Sequence, residues 1–366
     1  MKATTPAITA VRYKAIRAAM KTDNLDAYIV HHLPTIRYLT NFSGSNALLV
    51  VTQRSVLFFT DDRYAEQIKT ELYQVDGLKA YIERDIWKFI ADKKLLKGAV
   101  NVGFESNVVS VDSAKAMRKA LPGVKLKAAP GLARKTTMPK SAEEVAYIKK
   151  AADITAKVYE YVLGFVKPGM REIDVAAEIT YQGRKLSSEG DAFEIIFVSG
   201  IHGAFVHGRA SHKKIRKGEV ITLDFGCRVN GFHSDQTRTF SLGKPSREAL
   251  KAWSVVTEAH ARAIDAIKPN INCAELDLVV RNIITNAGYG DYYKHSLGHG
   301  LGIEVHEAPA ISHRNTTGVV PEGCVITIEP GIYIPDNFGM RLEDDMHVTS
   351  NGPVYLTSSP REMIMV

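Results

Sequence analysis

The sequence predicts two domains of different class, an α/β domain over 1–138 and a larger α+β domain over 139–366. Three observations carry this. The first third alternates short apolar runs with amphipathic helical patterns, which is how strands and helices in turn read. A basic, turn-rich stretch from Gly131 to Lys140 ends that alternation. Beyond it, helical sequence twice leads into hairpin-like strands that carry acidic residues, which suggests an internal duplication. At 366 residues the chain is also too long for one ordinary core.

In the first domain, Asp26 to Val30, Ala47 to Val51, Ser55 to Thr60 and Gly98 to Glu105 read as strands. Asp62 to Leu72 and Asp112 to Leu121 read as amphipathic helices between them. The second domain opens on a helix capped at Ser141, because Glu144 stands three residues later in a capping box. Its apolar face runs Val145, Ile148, Ala152, Thr155, Val158 and Val162, and "VKPGM" ends it. A second helical passage starts at Arg247.

Composition narrows the functional classes. An apolar fraction of 45% with 24% charged residues describes a soluble globular protein. No window approaches a membrane span, and the N-terminus lacks the apolar core of a secretory signal. Cys227, Cys273 and Cys324 are few, odd in number and far apart, which suits buried thiols in a reducing cytoplasm. The net charge of +7 is spread over short groups such as "DKKLLKGAV" and "SHKKIRKGE" without interleaved aromatics. Those groups read as solvated faces, and no nucleic-acid partner is expected.

Chemistry concentrates in two hairpins. In "VITLDFGCRVNGFHSDQTRTF" the Asn230-Gly231 pair predicts a two-residue turn, so Val229 faces Phe232 and Asp224 faces Thr237. Asp224 and Asp235 then become diagonal neighbours about 7–8 Å apart, with Gly226 leaving room beside them. Solvated acids on a surface hairpin fit the same pattern. The second pair favours a buried site. "CVITIEPGIY" places Thr327 and Glu329 on one face of a strand, and "MRLEDDMHVT" places Arg341, Glu343 and Asp345 on one face of another, across a loop of about ten residues. Acids projecting from strand interiors are costly to bury without a cation. With one histidine from "HSLGHGLGIEVHE", the four carboxylates form a hard ligand set suited to manganese, cobalt(II) or zinc. Four carboxylates exceed the need of one ion, so two divalent ions with a hydroxide between them as nucleophile are expected.

Together these stretches resemble the metallopeptidase family of Xaa-Pro aminopeptidases and Xaa-Pro dipeptidases. "IRYLTNFSGSNALLVV" and "LFFTDDRY" extend the resemblance over a creatinase/prolidase-like N-terminal domain. The resemblance implies a pita-bread catalytic domain with Asp224, Asp235, His299, Glu329 and Glu343 as metal ligands. Asp235 and Glu343 bridge the ions in that scheme, and Glu329 accepts the proton of the attacking water. His207, His295 and His306 match substrate-contacting histidines, one of which steadies the carbonyl or protonates the prolyl nitrogen. Arg341 and Tyr333 match supporting positions. The implied substrates are peptides with proline in second position. The implied assembly is a homodimer or higher oligomer in which the N-terminal domain borders a neighbour's site.

The chain departs from the family at "GIHGAFVHG", at Phe232 where tyrosine is common, and at Ala310. In dipeptidase-like members an arginine stands at that last position and binds the substrate carboxylate. Its absence, with Arg314 as a substitute nearby, favours an aminopeptidase over a dipeptidase. Creatinase lacks the ligand set. Methionine aminopeptidases usually lack this type of N-terminal domain and differ at "RLEDD". A non-catalytic peptide-binding module of the same fold would have lost ligands. "GHGLG" precedes no strand-to-helix unit and is no dinucleotide fingerprint. His31, His32, His202, His212, His260, His313 and His347 read as turn, solvated or satisfied residues, and His233 as solvated by its turn. Glu304, Glu307, Asp344 and Asp345 fit either a supporting role or solvent-facing acids.

Overall fold

The computed structural model describes residues 7–366, apart from the side chain of Lys135. The chain divides into two compact units, Met1–Thr137 and Met138–Val366. Met138 goes with the second because it packs against a core of that unit. Among the described residues no helix is long and apolar enough to cross a membrane.

The first unit is built on a mixed six-stranded sheet. Its strands are β1 (Ala27–Val30), β2 (Leu48–Thr52), β3 (Val56–Thr60), β4 (Leu78–Ile82), β5 (Asn101–Phe104) and β6 (Lys125–Ala128), in spatial order β4-β3-β2-β1-β5-β6. The helices are α1 (Ala7–Thr22), α2 (Leu33–Thr40), α3 (Gln67–Glu71), α4 (Ile86–Asp92) and α5 (Val111–Ala120). β1 and β3 are buried along their whole length, which is why they read as unbroken apolar runs. The edge strands "LKAYI" and "KLKA" escape that signal because lysines interrupt them, as edges require. The single helix expected over Asp62 to Leu72 is instead a 3-10 turn, Asp62–Tyr64, followed by α3. The Asp61 carboxylate caps that turn and binds the Arg63 guanidinium at 2.8 Å.

The second unit repeats one arrangement. α6 (Ala142–Phe165) and α7 (Glu172–Lys185) pack on β7 (Ile196–Ser199), β8 (Val220–Phe225) and, beyond the short β9 (Arg228–Val229) and β10 (Phe232–His233), on β11 (Gln236–Ser241). α8 (Arg247–Ala266) and α9 (Cys273–Asn286) then cover a second sheet. The pair β12 (Ile271–Asn272) and β15 (Val319–Val320) lies outside that sheet. Its strands are β13 (Gly298–Gly300), β14 (Glu307–Ile311), β16 (Val325–Ile328), β19 (Asp344–Thr349) and β20 (Gly352–Tyr355), in order β14-β13-β16-β19-β20. β17 (Gly331–Ile334) and β18 (Phe338–Arg341) form a separate hairpin between β16 and β19. The Ser141–Glu144 capping box is present, with the Ser141 N–H donating to Glu144 at 2.6 Å.

Alternation along the strands decides what faces the site. Ile221, Leu223 and Phe225 enter one core, which turns Thr222 and Asp224 to the opposite face. Ile326, Ile328, Met340 and Leu342 enter the other core, which turns Thr327, Glu329, Arg341 and Glu343 away from it.

Candidate metal centre

The first hairpin keeps the predicted register, and both hairpins are broken in the middle. Val229 pairs with Phe232 and Asp224 with Thr237, while Asn230 and Gly231 both take positive φ, at 49° and 80°. Between the two ladders, Asp235 turns its N–H to the Asp345 carboxylate at 3.1 Å. Gly226 serves this break differently from the expectation. A Cβ there would lie 1.8 Å from the Ser234 carbonyl oxygen, so the glycine permits backbone contact rather than leaving room for a cation. The ten-residue loop of the second hairpin is itself β17–β18. The ladder breaks at Pro330, which has no N–H to donate. Glu329 and Glu343 sit opposite one another in that gap, their N–H groups donating to Leu297 at 2.8 Å and Thr237 at 3.1 Å. Three of the four acids therefore lie at ladder breaks, and only Asp224 lies within a strand.

His299 comes from β13, whose pairing shifts between Gly298 and Gly300. A Cβ on Gly298 would lie 2.0 Å from the Thr327 carbonyl oxygen, so glycine lets β13 press against β16 and carry the histidine in. The His299 Nδ1–H donates to the Gly300 carbonyl at 3.0 Å, which leaves the Nε2 lone pair facing Asp235 and Glu329, each at 3.7 Å. Burial, with His306 adding to it, pushes this imidazole down to about 4, so it stays neutral.

Ligand-type atoms of Asp235, His299 and Glu343 all lie within 4.8 Å of one another. Asp224 Oδ1, Asp235 Oδ1 and Glu343 Oε1 are buried without a hydrogen-bond partner. Burial and then the neighbouring carboxylates raise Asp235 and Glu329 well above the usual range and push Glu343 up to about 8. Unpartnered anionic oxygens that repel one another beside a neutral histidine are the donor set a divalent cation fits.

All nine sequence-predicted site residues line one cavity of about 650 Å³. Arg341 is buried and fully engaged. It donates to Asp224 Oδ2 and the Tyr333 hydroxyl at 2.5 Å each, and to Thr237 Oγ1 at 3.0 Å. The Thr237 hydroxyl in turn donates a hydrogen bond to Glu343 Oε2 at 2.6 Å, so one guanidinium orients carboxylates from both hairpins. The Tyr333 hydroxyl donates to His295 Nε2 at 3.0 Å, and His295 Nδ1 donates to the Ser296 carbonyl at 2.8 Å. Burial, then Arg341, pushes His295 down to about 3. With both ring nitrogens committed, His295 holds no proton to give. His207 and His306 are exposed on the cavity wall, the latter with its ring 4.3 Å from that of His299.

The solvent-facing reading of His233 does not hold, and for Glu307, Asp344 and Asp345, left open between support and solvent, the structure shows buried, partnered acids. His233 is buried against the Gly302 carbonyl, reached by its N–H at 2.9 Å and its Nδ1 at 3.2 Å. Glu307 forms a buried ion pair with Lys140 at 2.9 Å. Asp344 is fully buried among Arg238, Arg361, His260 and Thr357. Burial alone would raise its carboxyl, but those cations hold it below the usual range. Asp345 positions Asp235. Phe232 stacks on Tyr147, with ring centres 5.9 Å apart, and does not line the cavity. Sequence reasoning missed Thr237, although the register that placed it opposite Asp224 also put its hydroxyl on the site face. It also missed Glu172, a buried carboxylate that accepts from Ser199 and Ser211 and so ties together both ends of the loop carrying His207.

Comparison with known proteins agrees with this geometry. Residues 12–136 match the creatinase/prolidase N-terminal domain, and residues 146–350 match metallopeptidase family M24. The Xaa-Pro dipeptidase of Pyrococcus horikoshii is 34% identical over 355 residues, covering 96% of this chain and 98% of that protein. A solved Xaa-Pro dipeptidase from Bacillus anthracis has a TM-score of 0.92 at 34% identity, covering 98% of this chain and 100% of that one. An X-Pro aminopeptidase from Thermotoga maritima has a TM-score of 0.87 at 32% identity, covering 95% and 100% respectively. Matched nearly end to end by such relatives, the chain belongs to metallopeptidase family M24 and is a hydrolase with the pita-bread fold of the prolidases.

Proposed function

We propose that the protein is a proline-specific metallo-exopeptidase that removes the first residue from peptides with proline in second position. Asp224, Asp235, His299, Glu329 and Glu343 hold two divalent cations, manganese by preference, with cobalt(II) or zinc as substitutes. Asp235 and Glu343, one from each hairpin, would be the carboxylates shared between the ions. When bound, the ions supply Lewis-acid activation of the attacking water. The observation that carries this reading is the convergence of unpartnered Asp224, Asp235 and Glu343 oxygens and the His299 Nε2 lone pair on one cavity.

The protein's own side chains do the rest. Glu329 lines the cavity, 3.7 Å from His299 Nε2 and so among the ligand set, where an acceptor of the water's proton must lie. Prolyl nitrogen carries no N–H and must gain a proton as the bond breaks. His306, exposed on the wall, is the side chain assigned to that transfer. His207 contacts the substrate, and His295 with Tyr333 and Arg341 positions the carboxylates. Phe193, Ile195 and Val305 offer the pyrrolidine ring an apolar wall.

Among proline-specific activities we favour an Xaa-Pro aminopeptidase that accepts peptides longer than two residues. Ala310 lines the cavity, and Arg314 does not. The second reading, an Xaa-Pro dipeptidase, is favoured by the names of the Pyrococcus and Bacillus anthracis relatives. Assays of manganese-loaded protein on Xaa-Pro, Xaa-Pro-Xaa and methionyl peptides separate these readings. Turnover of Xaa-Pro-Xaa is expected. Turnover of the dipeptide alone makes the enzyme a dipeptidase, and turnover of methionyl peptides alone overturns the proline specificity.

A further inference from the structure

We propose that Arg209 recognises the C-terminal carboxylate of short peptide substrates, with Glu194 as its partner until substrate binds. The inference rests on the peptidase reading and adds what sets preference among its substrates. Two cationic side chains, Arg209 and Arg341, line the cavity. Arg341 is buried and committed to Asp224, Tyr333 and Thr237. The Arg209 side chain is 80% exposed and pairs with Glu194 at 3.1 Å, whose own side chain is 64% exposed. An exposed pair of this kind is weak and exchanges readily.

The cavity is asymmetric in charge. Asp224, Asp235, Glu329 and Glu343 line it together with His299, which suits cations and the substrate amine. Glu307, a further lining acid, is already neutralised by Lys140. A short peptide bound by its N-terminal end must put its carboxylate away from those acids. Arg209 offers a planar guanidinium that matches a carboxylate with two parallel hydrogen bonds. Its backbone is preorganised as well. Arg209 follows His207 by two residues on the loop whose two ends, Ser199 and Ser211, both donate to the buried Glu172 carboxylate. Ala310 adds no charge of its own, and Arg209 is the lining guanidinium not tied to the acids around His299.

The test compares Ala-Pro-Ala bearing a free carboxylate with Ala-Pro-Ala amide. Manganese-loaded wild type, Arg209→Ala, Arg209→Lys and Glu194→Gln proteins are assayed on both. Wild type is expected to prefer the acid by about tenfold, mainly through KM, as one charge-assisted contact allows. Arg209→Ala brings the acid-to-amide ratio to about one, and Arg209→Lys restores part of it. Glu194→Gln lowers KM for the acid. Equal losses on acid and amide in Arg209→Ala overturn the proposal, as does a preference that survives the substitution. A wild type that cleaves methionyl peptides alone refutes proline specificity, and the matched methionyl acid and amide then test Arg209. Should no peptide be cleaved, the peptidase reading fails, and the calorimetric Kd ratio of the same acid and amide decides Arg209 alone.

Discussion

The two halves of the catalytic unit solve one structural problem in different ways. Each sets an inner hairpin, β9–β10 or β17–β18, inside an outer strand pair and holds one register through the break between them. The first half supplies two aspartates on a diagonal, one from within β8 and one from the break. The second supplies two longer glutamates that face each other directly across the break, together with His299 from the neighbouring strand. The charges divide unevenly too, because Arg341, which offsets the acids of both halves, comes from the second. Two carboxylates of the candidate ligand set from each half thus coexist on the cavity wall with a bias in the side chains around them. On the cavity wall, His295, His299, His306 and Arg341 come from the second half, against His207 and Arg209 from the first.

That comparison breaks first at the acids expected to reach both ions. Asp235→Ala and Glu343→Ala, one from each half, should each abolish turnover and remove bound metal, measured by elemental analysis of the purified variants. If one variant keeps its metal and the other does not, the halves do not share the ions equally.

The next effect concerns the repulsion both halves create. Asp235 and Glu329 titrate above the usual range and Glu343 at about 8, against 4.5 for an ordinary glutamate. Metal-stripped folded protein therefore holds protons that the unfolded chain releases. The associated stability is fully present below about pH 4.5 and is lost as pH rises through about 8. Thermal unfolding of metal-stripped protein should fall to lower temperature from pH 5 to pH 8. Saturating manganese should stabilise increasingly over the same window. A manganese shift that stays constant across that range would mean the acids are not strained together.

How much of this was legible in the sequence follows from what fixes register. Asn230-Gly231 dictates a two-residue turn, and from it the pairing of Asp224 with Thr237 follows by counting. The acids' common face follows from the two-residue period. The β17–β18 hairpin was hidden because Pro335, Asp336 and Asn337 make a three-residue turn, with Asp336 at φ 58°, that reads only as loop. Contacts between distant segments leave no local trace. Lys140 meets Glu307 across 167 positions, and nothing near either residue announces it. The same holds for the cluster around Asp344, where Arg238 lies 106 positions away. Gly226 was visible as a glycine, but its close approach to Ser234 is a property of the folded pair alone.

The smallest effect sharpens how the halves communicate apart from the ions. Thr237, from the first half, accepts from Arg341 Nε and donates to Glu343 Oε2, both in the second. Thr237→Val keeps the shape and removes both bonds. It leaves the buried Arg341 Nε unsatisfied and frees Glu343 to rotate within its break. Losses of about 10–100-fold in metal affinity or turnover are typical when such an outer partner is removed. The metal-binding isotherm and kcat of Thr237→Val should fall in that range, and Thr237→Ser, which keeps the hydroxyl, should restore both. A silent Thr237→Val would mean the two hairpins are coupled only through the cations they share. Arg341 would then serve Asp224 alone, and the second half's bias would reach the first through a single ion pair.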